Sequence, residues 1–248
     1  MKRLLLLLVG LATAFASSAQ NPSWMRYPAI SPDGTQIVFS YQGDLYLVSR
    51  DGGEARPLTT HPAYDYEPVW SRDGSKIAFA SDRYGNYDVF VIDANGGTPS
   101  RLTYASSGDH PSDFTPDGSA VLFSASRQDA ASNRQFPSGG LRELYQVPVD
   151  GGRPVQLLTT AAENARYNAD GSSIIFHDWK GYEDFWRKHH TSAVTRDIWQ
   201  YNFADGSYTK LSNYKGEDLY PVWDPSSDGI YYTSEMYGKS FNPTTKWY

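Results

Sequence analysis

The sequence predicts an all-β protein assembled from repeated antiparallel sheets. Two observations predict it. The first is composition: 19 Tyr, 11 Phe and 7 Trp stand beside 21 Gly and 15 Pro in 248 residues. Aromatic residues fit a pleated, half-buried surface, while Gly and Pro punctuate turns. The second is repetition. Asp-Gly recurs at Asp33-Gly34, Asp73-Gly74, Asp117-Gly118, Asp170-Gly171 and Asp228-Gly229, at steps of 40, 44, 53 and 58 residues.

Each copy has the same internal order. A short strand comes first: "YPAI", "EPVW", "HPSDF", "ARYN" and "YPVW". The Asp-Gly turn follows, supplying the positive φ that a tight hairpin needs. An alternating strand comes next, in "QIVFS", "KIAFAS", "AVLFSA", "SIIFHD" and "GIYYTS". A third strand reads "DLYLVSR", "DVFVIDA", "ELYQVPV" and "DIWQYNF", and a second turn reads "DGGEA", "NGGTP", "DGGRP" and "DGSYT". Complete copies close on "PLTT", "RLTY", "LLTT" or "KLSN". Period-2 alternation gives each strand one face towards a neighbour. Four strands per unit of this length is the signature of a β-propeller, in which sheets pack face to face around a channel.

The expected blades run about 27–65, 66–109, 110–163 and 164–218, with a partial fifth at 219–248, so the ring is incomplete. In the fifth copy the match to the second runs through Gly238 to about Asn242. Pro243 then falls where a third strand needs a hydrogen-bonding residue. No second turn or closing strand is expected there, which marks a chain truncated relative to a longer protein.

Residues 1–19 read as a signal peptide: Lys2 and Arg3, an apolar run from Leu4 to about Phe15, and small residues ending at Ala19. The expectation is therefore an exported, periplasmic protein, with no membrane span after cleavage. Removing residues 1–19 takes the net charge from −6 to −8. An acidic chain without a basic stripe argues against nucleic acid as a partner. The chain contains no Cys, which excludes disulfides, thiolate metal sites and a Cys nucleophile.

The blade pattern "SPDG…IAFASDR…DVFVIDANGG…RLT" resembles the TolB-like propeller repeat. Three further stretches, "NPSWMRYPAISPDG", "HPAYDYEPVWSRDGSKIAFASDR" and above all "GYEDFWRKHHTSAVTRDIW", resemble the N-terminal propeller of tricorn-type serine peptidases. The resemblance implies a parent protein with a PDZ-like module and a serine-peptidase core. It also implies that the propeller filters or channels peptides or scaffolds those domains, and it leaves room for an oligomer of the full-length protein. No position here matches the family's catalytic residues. The alternative is a non-enzymatic TolB-like propeller for protein–protein interaction.

No independent catalytic motif is present: neither G-x-S-x-G nor H-E-x-x-H nor a phosphate loop occurs. No catalytic residue, cofactor or metal is expected. Two sets of residues remain as binding candidates. Asp65, Asp109, Glu163 and Asp218 each precede an inner strand, near one channel mouth. They form either a carboxylate ring that attracts cationic peptides or an ion, or a set of turn caps. In the blade 4 insertion, Arg187, Lys188 and Arg196 are candidates for a peptide carboxylate or a neighbouring domain. There His189 and His190 serve as polar contacts or as a metal or proton-transfer pair. Trp70 and Trp223 share one repeat position and are expected to pack between blades.

Overall fold

The computed structural model of the chain describes residues 24–127, 141–181, 191–226 and 229–236 and the strand at 244–245. Blade 1 is built of β1 (Arg26–Ile30), β2 (Gln36–Tyr41), β3 (Asp44–Ser49) and β4 (Arg56–Pro57). Blade 2 comprises β5 (Asp65–Trp70), β6 (Lys76–Ser81), β7 (Asp88–Asp93) and β8 (Ser100–Arg101). Blade 3 has β9 (Asp109–Phe114), β10 (Ala120–Ala125), β11 (Glu143–Pro148) and β12 (Val155–Leu158). Blade 4 has β13 (Ala162–Tyr167), β14 (Ser173–Asp178), β15 (Ile198–Asn202) and β16 (Tyr208–Lys210). The fifth sheet contains β17 (Asp218–Trp223), β18 (Ile230–Ser234) and β19 (Thr244–Thr245). Every sheet is an antiparallel meander in chain order, and no helix occurs among the described residues.

The fifth sheet goes further than expected. Pairing does not stop at Asn242, because Thr245 pairs with Thr233 and Thr244 with Ser234. Residues 1–19, expected to be a signal peptide, the 128–140 part of the blade 3 insertion and the Gly238–Pro243 stretch lie outside the described residues.

The Asp-Gly turns of the first three blades are wired alike. In blade 2, Asp73 accepts from the Ser71 hydroxyl at 2.6 Å and from the Ser75 amide at 3.0 Å. Thr115, Asp117 and Ser119 repeat this in blade 3. The Ser71 hydroxyl, with the Ser75 amide and hydroxyl, pulls the Asp73 carboxyl down to about 2. Gly74 follows at φ 71°, a left-handed conformation that glycine adopts without steric cost.

Each seam between blades is an apolar cluster. Leu45, Leu47 and Leu58 of blade 1 meet Trp70, Ile77, Phe79, Phe90 and Ile92 of blade 2. Val89 and Val91, from the opposite face of β7, meet Phe114, Val121 and Phe123 of blade 3. Leu122 and Leu144 meet Ala165, Ile174 and Phe176, and Ile175 and Ile198 meet Ile230 and Tyr232. The two tryptophans sit in the first and last seams. Trp70 Nε1 donates to the Ala29 carbonyl at 3.1 Å, and Trp223 Nε1 to that of Arg166 at 3.1 Å.

The inner strands follow one another side by side: β1 beside β5, β5 beside β9, β9 beside β13 and β13 beside β17. At the far ends of these strands Arg72 reaches from blade 2 to blade 4. It donates to the carbonyls of Tyr167 at 2.8 Å and Asn168 at 3.0 Å. Asp113 of blade 3 lies between them, accepting the Tyr167 amide at 2.9 Å.

Trp70 is only 9% exposed, so Trp70→Ala should destabilise the protein by about 3–5 kcal/mol in urea unfolding. The half-buried Trp223 should cost visibly less on the same substitution. Equal losses at the two positions would show that the first seam is no more demanding than the last.

Candidate functional site

The mouth formed by the starts of the inner strands carries most of the ionisable side chains in the interior. Register decides which of them are equivalent. Asp65 lies opposite Ser81, Asp109 opposite Ala125 and Asp218 opposite Ser234. In blade 4 that position is Ala162, opposite Asp178, and Glu163 pairs one step further in with His177. Glu163 is therefore the counterpart of Tyr66, His110 and Leu219. A one-residue offset puts its side chain on the other face of the strand.

Asp65 is fully buried and bound by Arg83 at 2.6 Å. Asp109 is equally buried and bound by Arg127 at 2.8 Å. Both arginines come two residues after the second strand of the same blade. In blade 4 the cation at that place is Lys180, which binds Asp178 at 3.2 Å and also Asp197. In the fifth sheet the place is taken by Met236, and neither carboxylate oxygen of the buried Asp218 has a hydrogen-bond partner among the described residues. Burial raises the Asp218 carboxyl, with the nearby Ser234 and Ser212 hydroxyls opposing it.

The same seams carry a second regular contact. The hydroxyl of the closing Leu-Thr or Leu-Ser accepts the amide of the second residue of the third strand or its equivalent. Thr59 accepts from Leu45, Thr103 from Val89 and Ser212 from Ile198, each at 2.9 Å. Arg101 meanwhile binds Asp88 at 2.7 Å. The acids at the strand starts are thus joined to the polar lattice of the seams.

Closer to the axis lies a different group of side chains. Four inner strands carry a positive φ at a residue other than glycine, the second of β1 and the third of β5, β13 and β17: Tyr27 (51°), Glu67 (53°), Asn164 (51°) and Tyr220 (55°). Each sits at a register irregularity of its sheet. Three of them precede proline, as Tyr27-Pro28, Glu67-Pro68 and Tyr220-Pro221. Proline has no amide to give a ladder and is tolerated at bulges and edges. These X-Pro pairs are the signal in the sequence that marks the bulge, and the candidate residues named from sequence do not include them.

The rings of Tyr27 and Tyr66 meet edge-on at 5.4 Å, and Tyr66 meets Tyr87 at 4.7 Å. His110 Nδ1 lies 2.9 Å from Glu67 Oε2 and 3.0 Å from the Tyr66 hydroxyl. Burial, followed by the charge of Glu67, raises the hydroxyls of Tyr27, Tyr66 and Tyr220. Glu67 of blade 2 is thus electrically close to tyrosines of blades 1, 2 and the fifth sheet. On the far side Arg142 binds Glu163 at 2.8 Å. The Tyr220 amide donates to His177 Nδ1 at 3.2 Å, so the ring proton sits on Nε2, 3.5 Å from Glu163. Burial opposes ionisation of Glu163, but the His177 hydrogen bond and the Arg142 charge hold its carboxyl below the ordinary value.

Arg196 is placed by Glu217, whose two oxygens lie 3.3 Å from its Nη1, and by Trp179, whose ring it covers at 4.2 Å. Arg187, Lys188, His189 and His190 lie outside the described residues. Among the described residues no three His, Asp or Glu side chains converge as a metal ion would require.

Two outcomes follow. Met236→Arg restores the cation that blades 2 and 3 carry, and should stabilise the protein by about 1–3 kcal/mol in urea unfolding. An unchanged or lowered midpoint would mean that Asp218 is already satisfied. Burial also raises the Asp109 carboxyl to about 6. A raised acid favours the folded state below its unfolded value near 4, and that contribution is lost as pH climbs through 6. Asp109→Asn should therefore flatten the fall in melting temperature between pH 4 and 6. An unaltered slope would remove Asp109 from this role.

Residues 22–242 match the family described as the tricorn protease N-terminal beta propeller domain. The chain is 37% identical over 70 residues to a TolB homologue of Chlorobium luteolum, covering 28% of this chain and 15% of that protein. A crystal structure of the tricorn protease superposes with a TM-score of 0.70 at 22% identity, over 92% of this chain and 21% of that one. Crystalline TolB from Acinetobacter baumannii gives 0.57 at 18% identity, over 85% of this chain and 52% of that one. These two likenesses show the shared propeller fold, and the chain spans only a minor part of the curated relatives it matches. With the family matched over nearly its whole length, the chain belongs to the tricorn protease N-terminal beta propeller family.

Proposed function

We propose that this chain is the propeller part of an exported tricorn-like serine peptidase, gating or binding peptide substrates or scaffolding the other domains. The observation that carries the reading is the family match over residues 22–242. The inner-strand mouth supplies the means. It brings tyrosines, histidines, arginines and acids from every blade to one opening, a mixture suited to a peptide's polar backbone and varied side chains. The charges of Asp65, Asp109 and Glu163 are answered by arginines of the protein, so they act as supports behind the mouth. Arg187, Lys188 and Arg196, with His189 and His190, are the candidates for contact with a peptide carboxylate or a neighbouring domain. The charged start and apolar run of residues 1–19 support export to the periplasm.

A second reading has its own support. Identity of 37% over 70 residues to a TolB homologue favours an interaction propeller whose partner is a folded protein.

The purified chain should bind a pentapeptide blocked at both ends and free of charged side chains. Tryptophan fluorescence would show saturable binding, weakened at least severalfold in Tyr220→Ala, and mass spectrometry would show no cleavage. Absence of saturable binding would overturn the peptide reading and leave the interaction propeller. Cleavage of the peptide would overturn the placing of catalysis outside this chain.

A further inference from the structure

The acids around the mouth are not alike in their partners. Asp65 has Arg83, Asp109 has Arg127, Glu163 has Arg142 and Glu217 has Arg196. Asp218 and Glu67 lack an arginine: Asp218 is fully buried, whereas Glu67 has His110 as its ion-pair partner among the described residues, on Oε2 alone. Its side chain is 31% exposed, more open than those of the four acids paired with arginine. It stands at positive φ on the bulge, a strained placement that persists because the inner strand holds it there.

Aromatic side chains share this region: the Tyr66 hydroxyl meets the same His110 nitrogen as Glu67, Tyr27 meets Tyr66 edge-on, and the Glu67 charge acts on both Tyr27 and Tyr220. Tyr27 is 40% and Tyr220 is 55% exposed, one on each outermost inner strand, while Tyr66 lies beneath beside His110. The rings offer negative faces, and Glu67 offers a carboxylate that no arginine neutralises. A cation gains from both at once, whereas an anion is repelled by both.

We propose that Glu67, with Tyr27, Tyr66 and Tyr220, forms a receptor for a cationic group of a bound peptide, an ammonium or a guanidinium. The mouth would then select peptides by a free amino terminus or by a Lys or Arg side chain. This assignment rests on the peptide-binding reading above and names the substrate class for it. The charges of Arg142 and Arg196 reach Tyr66 and Tyr220, but each is ion-paired with its own acid, Glu163 or Glu217, and neither pairs with Glu67.

Three pentapeptides test this at constant pH and salt, read by fluorescence or calorimetry on the whole chain. One has a free amino terminus and no charged side chain. One is acetylated and uncharged. One is acetylated and carries a single lysine. The first or third should bind about tenfold more tightly than the second, as a charge-assisted contact is about twice as strong as a neutral one. Whichever of the two gains identifies the amino terminus or the side chain as the source of the cation. Glu67→Gln should bring all three to one affinity with an unchanged melting temperature, and Tyr220→Ala should shrink the preference without erasing it. Equal affinity of the three peptides for the unmodified chain would overturn the cation receptor while leaving peptide binding intact. A preference that survives Glu67→Gln would overturn it as well. Failure of every peptide to bind would take both readings down together.

Discussion

A single four-stranded blade has two apolar faces and cannot cover either by itself. That constraint governs the rest of the molecule. Strand β7 shows it plainly: Phe90 and Ile92 are buried towards blade 1, and Val89 and Val91 towards blade 3. A strand buried on both faces reads as a continuous apolar run. Burial of such side chains against a neighbour contributes about 1.5–3 kcal/mol for each large one. The blades therefore gain their stability in pairs, and the inner strands are drawn together as a by-product of that pairing. The mouth exists because the seams do.

Polar groups that the seams enclose have to be satisfied where they are. Ser40 donates to the Asp65 carbonyl at 2.6 Å and Ser124 to that of Ala162 at 2.8 Å, each crossing to the next blade. His177, at the same strand position, accepts the Tyr220 amide instead. One position thus performs one task with two chemistries. The imidazole brings something serine does not, a second nitrogen directed at Glu163. In this way a structural link between blades also helps to set the charge of the mouth.

The repeat was readable because hairpin turns and strand alternation are local. Asp33, Asp73, Asp117 and Asp170 announce their turns within five residues, and the structure wires each of them locally. What could not be read was anything that depends on a single-residue shift. Glu163 looked equivalent to Asp65 because both are acids just before an inner strand, yet pairing with His177 places it one step along. Glu67 escaped notice for a related reason. Its position on a bulge breaks the alternation from which facing is inferred, and the tyrosines that feel its charge, Tyr27 and Tyr220, come from other sheets, the second of them far along the chain. The proline after each of Tyr27, Glu67 and Tyr220 was the visible trace of that bulge.

An array in which each unit touches only its neighbours loses order from its ends, one unit at a time. The guanidinium of Arg72 departs from that scheme. By holding the carbonyls of Tyr167 and Asn168, it draws a chord from blade 2 to blade 4 across blade 3, whose Asp113 steadies the same junction. A chord of this kind lengthens the distance over which a disturbance is felt. Loosening of blade 4 is opposed by blade 2 as well as by blade 3, so the three open as one body. Blades 2, 3 and 4 are thereby tied into one mechanical unit by a single side chain.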